Sequence, residues 1–166
     1  MDRILVSGLI NVETTLRVDA FPLTYKPVHY PFFGVNSTVS GVGYNIAGAL
    51  TTLDSHIDFL SIIGRDLAGT IVRLALARDG LADQFILDAM PHTAHSVIIY
   101  DQTGRRQIHT DLKDIQDRPY PPQLFQKSLQ DCSLALLCNI NYNRPFLAQA
   151  RNTAIPVATD VHTIAD

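Results

Sequence analysis

Four short apolar runs, Ile4–Val6, Ile57–Ile63, Leu134–Cys138 and Ile155–Thr159, are separated by stretches with helical spacing. Continuous apolar runs of this length suit strands buried on both faces, and those faces need helices to cover them. Residues 43–53 place Ile46, Ala47 and Leu50 at helical spacing. Asp66 is an N-cap for a second helix, whose apolar face is read as Leu67, Ile71, Leu74 and Leu76 and which Gly80 closes at C′. Shorter helices are predicted over Leu124–Leu129 and from Asn143 and Pro145 to Asn152. The alternation predicts an α/β unit with a mostly parallel sheet flanked by helices.

Two stretches break the alternation. Gln84–Leu87 and Ser96–Tyr100 are strand-like, Asp101-Gln102-Thr103-Gly104 is a turn, and Arg105–Thr110 returns, which is a hairpin signal. Together with the irregular, aromatic-rich 20–35 region, this material predicts a separate small β element at the edge of the main sheet.

Composition narrows the function. With 166 residues, 46% hydrophobic and 17% charged, the chain suits one globular domain. A formal net charge of -3 leaves no basic footprint for nucleic acid. No apolar run approaches a membrane span, and MDRILVSG is no signal peptide. Cys132 and Cys138 read as small apolar residues in or beside a strand, since the ends of one strand lie too far apart for a disulfide. A reducing, cytoplasmic setting follows as the default. His92 and His95, at i and i+3 beside Pro91, lack an acidic or cysteine partner close in sequence, and His29, His56, His109 and His162 are scattered. No zinc site is expected.

The stretch Ser40-Gly41-Val42-Gly43-Tyr44-Asn45-Ile46-Ala47-Gly48-Ala49-Leu50 carries the most chemistry. A dinucleotide fingerprint needs a third glycine where Ile46 stands, directly after the first strand. A P-loop needs Lys and Ser/Thr where Ala49 and Leu50 stand. Two readings remain. The glycines leave room for a polyol whose hydroxyls Asn45 holds, or they permit tight packing between loop and helix.

Here the sequence resembles the ribokinase family of PfkB-type carbohydrate kinases. The resemblance rests on Gly41-Val42-Gly43-Tyr44-Asn45-Ile46-Ala47, on Gly64-Arg65-Asp66-Leu67-Ala68-Gly69 after a strand, and on Gly8-Leu9-Ile10-Asn11-Val12-Glu13 after the first strand. These occur in the family's order and span essentially the whole chain. Ser40 replaces a glycine of the family's pair, Glu13 its usual Asp, and Val42 the Lys of ribose-specific members. The wording from Gly41 to Ala47, with Cys138-Asn139-Ile140, is most similar to the pseudouridine kinase branch.

The resemblance implies a ribokinase-like fold with a small β lid over the sugar site, at about 11–35 and 84–115, that also serves as a homodimer surface. It implies an ATP-dependent, Mg²⁺-assisted kinase for a small-molecule sugar or nucleoside. The substrate-binding residues would be Asn11, Glu13, Gly41, Val42, Gly43, Asn45, Asp111 and Asn141. Asp111 reads equally as a solvated loop charge, and Asn141 as a structural residue past a strand end. The family's nucleotide motif, Asp-Thr-x-Gly-Ala-Gly-Asp with its catalytic base, is missing; Asp101-Gln102-Thr103-Gly104 reads as a turn. With no covering helix after the last strand, the chain reads as the N-terminal substrate half of a longer kinase, inactive alone and prone to self-association. The alternative is a non-catalytic sugar- or nucleoside-binding domain of the same fold.

Overall fold

A computed structural model describes residues 3–161. His162 and the rest of the segment after the last strand, 162–166, lie outside these residues. Five strands run parallel: β1 (Arg3–Ser7), β4 (His56–Gly64), β5 (Ile86–Met90), β8 (Leu134–Leu137) and β9 (Val157–Ala158), in the order β5-β4-β1-β8-β9. Alternate residues face opposite layers. Ile4 and Val6 of β1 join Phe59 and Ile63 of β4 beneath α1 (Val42–Thr52) and α2 (Leu67–Arg78). Leu5 joins Leu60 and Ile62 on the other face, beneath α3 (Pro122–Leu129) and α4 (Phe146–Arg151). On that face Phe125 stacks on Phe146 at 4.2 Å between ring centroids.

A second sheet stands beyond the C-terminal ends of the parallel strands. It contains β2 (Asn11–Arg17), β3 (Val35–Ser40), β6 (His95–Tyr100) and β7 (Arg106–Asp111), in the order β3-β2-β6-β7. The expected hairpin is its β6–β7 pair. The 101–104 turn closes through Asp101, whose Oδ1 accepts the N–H groups of Thr103 and Arg105. Two differences from the sequence reading stand out. The Gln84–Leu87 run forms not hairpin but β5, because the β4–α2–β5 crossover returns it parallel to β4, with Ile86 and Met90 buried. Residues 20–34 contain no strand; β2 and β3 flank them instead, and they expose Tyr25, Tyr30, Phe32 and Phe33.

α2 also docks differently from expectation. Leu76 is fully buried, but Leu67, Ile71 and Leu74 are 76%, 42% and 67% exposed. The buried stripe is Ala68, Gly69, Val72, Ala75 and Leu76. Asp66 decides this. It caps α2 by accepting the Gly69 N–H at 2.9 Å, and it also accepts the Thr93 N–H at 3.0 Å and the Thr93 hydroxyl at 2.7 Å. Gly69 lies against the Gly64 carbonyl, where a Cβ would collide. The first turn is therefore clamped, and Ala68, Gly69, Val72, Ala75 and Leu76, not Leu67, Ile71 and Leu74, face the sheet.

Burial alone would raise the Asp66 pKa, but the hydrogen bonds from Thr93 and Gly69 outweigh it and hold it below the usual 3.8. A depressed carboxylate stabilises the fold above its unfolded pKa, and that stability is lost as pH falls through the folded value. Asp66→Asn, which leaves one acceptor oxygen for the Gly69 and Thr93 donors, should cost about 1–2 kcal/mol at neutral pH. In urea titrations it should also flatten the loss of stability that the parent chain shows on acidification below pH 3.8.

The two glycines of α1 differ sharply. A Cβ on Gly43 would lie 2.6 Å from the Gly8 backbone, whereas one on Gly48 meets nothing within 4 Å. Gly43→Ala should destabilise by about 1–3 kcal/mol. Gly48→Ala should stabilise by about 0.5–1 kcal/mol, and thermal melts of the two variants test the contrast.

Candidate functional site

Ligands of open α/β sheets bind outside the carboxyl ends of the strands. There the structure has a cleft of about 580 Å³, between the parallel sheet and the inner face of the second sheet. β1 passes directly through Gly8–Ile10 into β2, which places Asn11 and Glu13 on one wall. β3 passes through Gly41 into α1, which places Ser40, Val42 and Asn45 opposite. Gly41 takes φ +111, and a Cβ there would lie 2.5 Å from the Leu9 carbonyl oxygen. Only glycine tolerates both conditions.

Asn11 is the most constrained polar group. It is 3% exposed, and its Nδ2 donates to Ser96 Oγ at 2.6 Å. Its Oδ1 is buried without a partner. A buried amide oxygen left unpaired costs about 1–3 kcal/mol, and Asn11 lines the cleft at this position. The Glu13 side chain, half-buried, forms neither a hydrogen bond nor an ion pair with the described residues. Asn45 is exposed, and its Nδ2 donates to Ser40 Oγ at 3.4 Å, which leaves its oxygen as an acceptor. An amide, a carboxylate and hydroxyls converging on one space can donate to and accept from a polyol.

Of the eight residues expected from sequence, Asn11, Glu13, Gly41, Val42 and Asn45 are brought together here. Three are not. Gly43 is buried against Gly8, so its missing side chain makes room for backbone and not for ligand. Asp111 pairs in register with His95, on the face of the second sheet opposite Thr110. Its carboxylate is held by Lys113, outside the cleft. Asn141 turns away into a short 3-10 helix, its N–H donating to Gln116 Oε1 at 3.0 Å. Its neighbours Asn139 and Ile140 line the cleft instead.

Sequence reasoning missed Ser96, Arg106, Thr110, Gln116 and Asp160, which also line it. Ser96 and Thr110 were within predicted strands, and period-2 alternation from Ser96 would have found Ile98 as well. Gln116 and Asp160 carried no local signal. Asn143, expected only as a helix start, is buried, and its Nδ2 donates to the Ser7 and Cys138 carbonyls at 2.9 Å each. That clamp holds the carboxyl ends of β1 and β8 together behind the cleft.

The described residues do not fit a nucleotide polyphosphate or its Mg²⁺. They contain no group of three or more His, Cys, Asp or Glu able to hold a metal. The 101–104 segment is the β6–β7 turn, its N–H groups directed to Asp101. No phosphoryl-transfer step is derived from these residues. Among them, no helix is long and apolar enough to cross a membrane.

Cys138 lies at the cleft floor, 4% exposed, and burial followed by the Asp160 charge pushes its thiol up to about 12. Burial likewise raises Cys132 to about 11. Both thiols are free. At pH 8 they should react with a disulfide reagent at least ~100-fold more slowly in the folded chain than in urea. Equal rates would mean an open floor.

No protein-family model and no curated protein sequence matches the chain. Solved structures do. A microbiome-derived acarbose kinase superposes with a TM-score of 0.85 at 20% identity, covering 99% of this chain and 55% of that one. A Methanocaldococcus jannaschii nucleoside kinase, an archaeal member of the ribokinase family, gives 0.75 at 14% identity, covering 98% and 53%. An Arabidopsis thaliana ribokinase complexed with ribose and ATP gives 0.77 at 16% identity, covering 97% and 53%. The chain thus spans about half the length of these proteins. At these identities the likeness establishes the architecture, and the chain has a ribokinase-like α/β fold.

Proposed function

We propose that this chain is the substrate-binding part of an ATP-dependent sugar or nucleoside kinase, which transfers a γ-phosphoryl group to a sugar hydroxyl. The observation that carries this reading is the convergence of Asn11, Glu13 and Asn45 on one cleft at the carboxyl edge of a parallel sheet. Ligands named for similar structures, ribose and ATP in one and ADP in another, support it. Asn11, Glu13, Gly41, Val42 and Asn45 bind the polyol, and the second sheet serves as the lid. ATP and Mg²⁺ bind outside the residues described here. The wording of the glycine stretch favours the pseudouridine kinase branch, and the two buried free thiols suit a reducing, cytoplasmic setting.

Phe32, Phe33 and Val35 are 76%, 99% and 56% exposed beside the second sheet. An apolar surface of this kind suits a homodimer formed through the lid. The second reading, a non-catalytic sugar- or nucleoside-binding domain, is favoured by the poor fit to a polyphosphate. The coding frame beyond Asp166 separates the two: Gly-Ala-Gly-Asp downstream supports the kinase, and a stop codon with retained sugar binding supports the binding domain.

The purified chain should consume no ATP in the presence of ribose, fructose or pseudouridine in a coupled assay, and sugar-dependent consumption would defeat the proposal that it is inactive alone. Asn11→Ala should weaken binding of the preferred ligand in calorimetry by about 10-fold or more, with the circular dichroism spectrum unchanged.

A further inference from the structure

The inner face of the second sheet is graded. Strand register orders it in rows across β2, β6 and β7. Nearest the parallel sheet, Asn11 bonds to Ser96. The next row is Glu13, Ser96 and Thr110, all polar. The row beyond is Thr15, Ile98 and Ile108, of which the two isoleucines line the cleft. Ile108 is 47% exposed, although it faces a cavity on a folded surface. Farther out, Arg106 lines the same cleft, and its guanidinium forms neither an ion pair nor a hydrogen bond with the described residues.

Each row asks for different chemistry. The polar rows match hydroxyls. The isoleucine pair offers an apolar platform that suits a planar ring better than a second sugar, whose hydroxyls lose water on burial against it. The Arg106 guanidinium presents planar donors suited to carbonyl acceptors. A phosphate is disfavoured, because Glu13 and Asp160 place carboxylates in the same cleft and Arg106 is its only arginine or lysine. The volume of about 580 Å³ also falls within the range of about 300–1,000 Å³ for ligands larger than a free pentose.

We infer that the ligand is a nucleoside-type molecule. Its sugar is held by Asn11 and Glu13, its planar heterocycle lies on Ile98 and Ile108, and a ring carbonyl accepts from Arg106. This rests on the sugar- or nucleoside-binding reading above and names the substrate class.

Calorimetry on the full 166-residue chain with ribose, ribose 5-phosphate, maltose, uridine and pseudouridine tests it. Uridine or pseudouridine should bind at least ~10-fold tighter than ribose, ribose 5-phosphate and maltose. Ile108→Ser should lower nucleoside affinity by about 5-fold or more and leave ribose affinity unchanged. Arg106→Gln should act in the same direction. Both positions are exposed, so folding is retained and is verified by thermal melting. Ribose binding as tightly as the nucleosides, or tighter binding of ribose 5-phosphate or maltose, overturns this inference and leaves the sugar-site reading standing. Nucleoside binding unaffected by both variants also overturns it. No binding of any of the five overturns both.

Discussion

The cleft depends on one backbone contact. Gly8 leaves β1, Gly43 sits in the first turn of α1, and a side chain on either would collide with the other at 2.6–2.7 Å. Only because both lack a Cβ does α1 begin directly on the β1–β2 connection, with the Tyr44 N–H donating to the Leu9 carbonyl at 3.3 Å. That approach sets the distance between the wall carrying Asn11 and Glu13 and the wall carrying Ser40, Val42 and Asn45. The glycine stretch therefore acts in two ways. Gly41 shapes the loop at the cleft, and Gly43 brings the helix to it.

A second junction repeats the device. Gly64 ends β4 against the backbone of His92 and Thr93, and Gly69 lies against Gly64. Asp66 then joins α2 to the segment that enters β6 through three hydrogen bonds. Both glycine pairs stand where the parallel sheet passes into the second sheet, and both act by letting backbones touch. The second sheet is thus held at two points, and its inner face can present an ordered gradient of polar, apolar and cationic side chains to one space.

Much of this was legible in the sequence. Apolar runs of strand length and helical spacings located β1, β4, β8 and the helices. The Asp66 cap and the Gly80 terminus were readable because they depend on neighbours within one or two turns. The misreadings share a cause. α2 carries two apolar stripes, and the leucine stripe looked like the core face until the Gly69 contact with Gly64, five residues away but set by a turn between strand and helix, chose the other. β2 and β3 are largely polar, since one face of their sheet lines a cleft, so they lacked the pattern of buried strands. Gln84–Leu87 was placed with the small β element because a short apolar run does not reveal its partner.

The sequence by itself determined the layered α/β order, because local periodicity dictates which residues need burial, and it marked Asn11, Glu13, Gly41 and Asn45 as candidate site residues through motifs similar to those of the ribokinase family. Only the tertiary structure decided which of them meet. Strand register put Asp111 on the far face and Thr110 on the near one, a difference of one residue that alternation turns into opposite sides of a sheet. Pairings between residues far apart in sequence brought Ser96 to Asn11 across 85 positions. No local pattern encodes that contact, because it arises from how β2 and β6 pair within the second sheet.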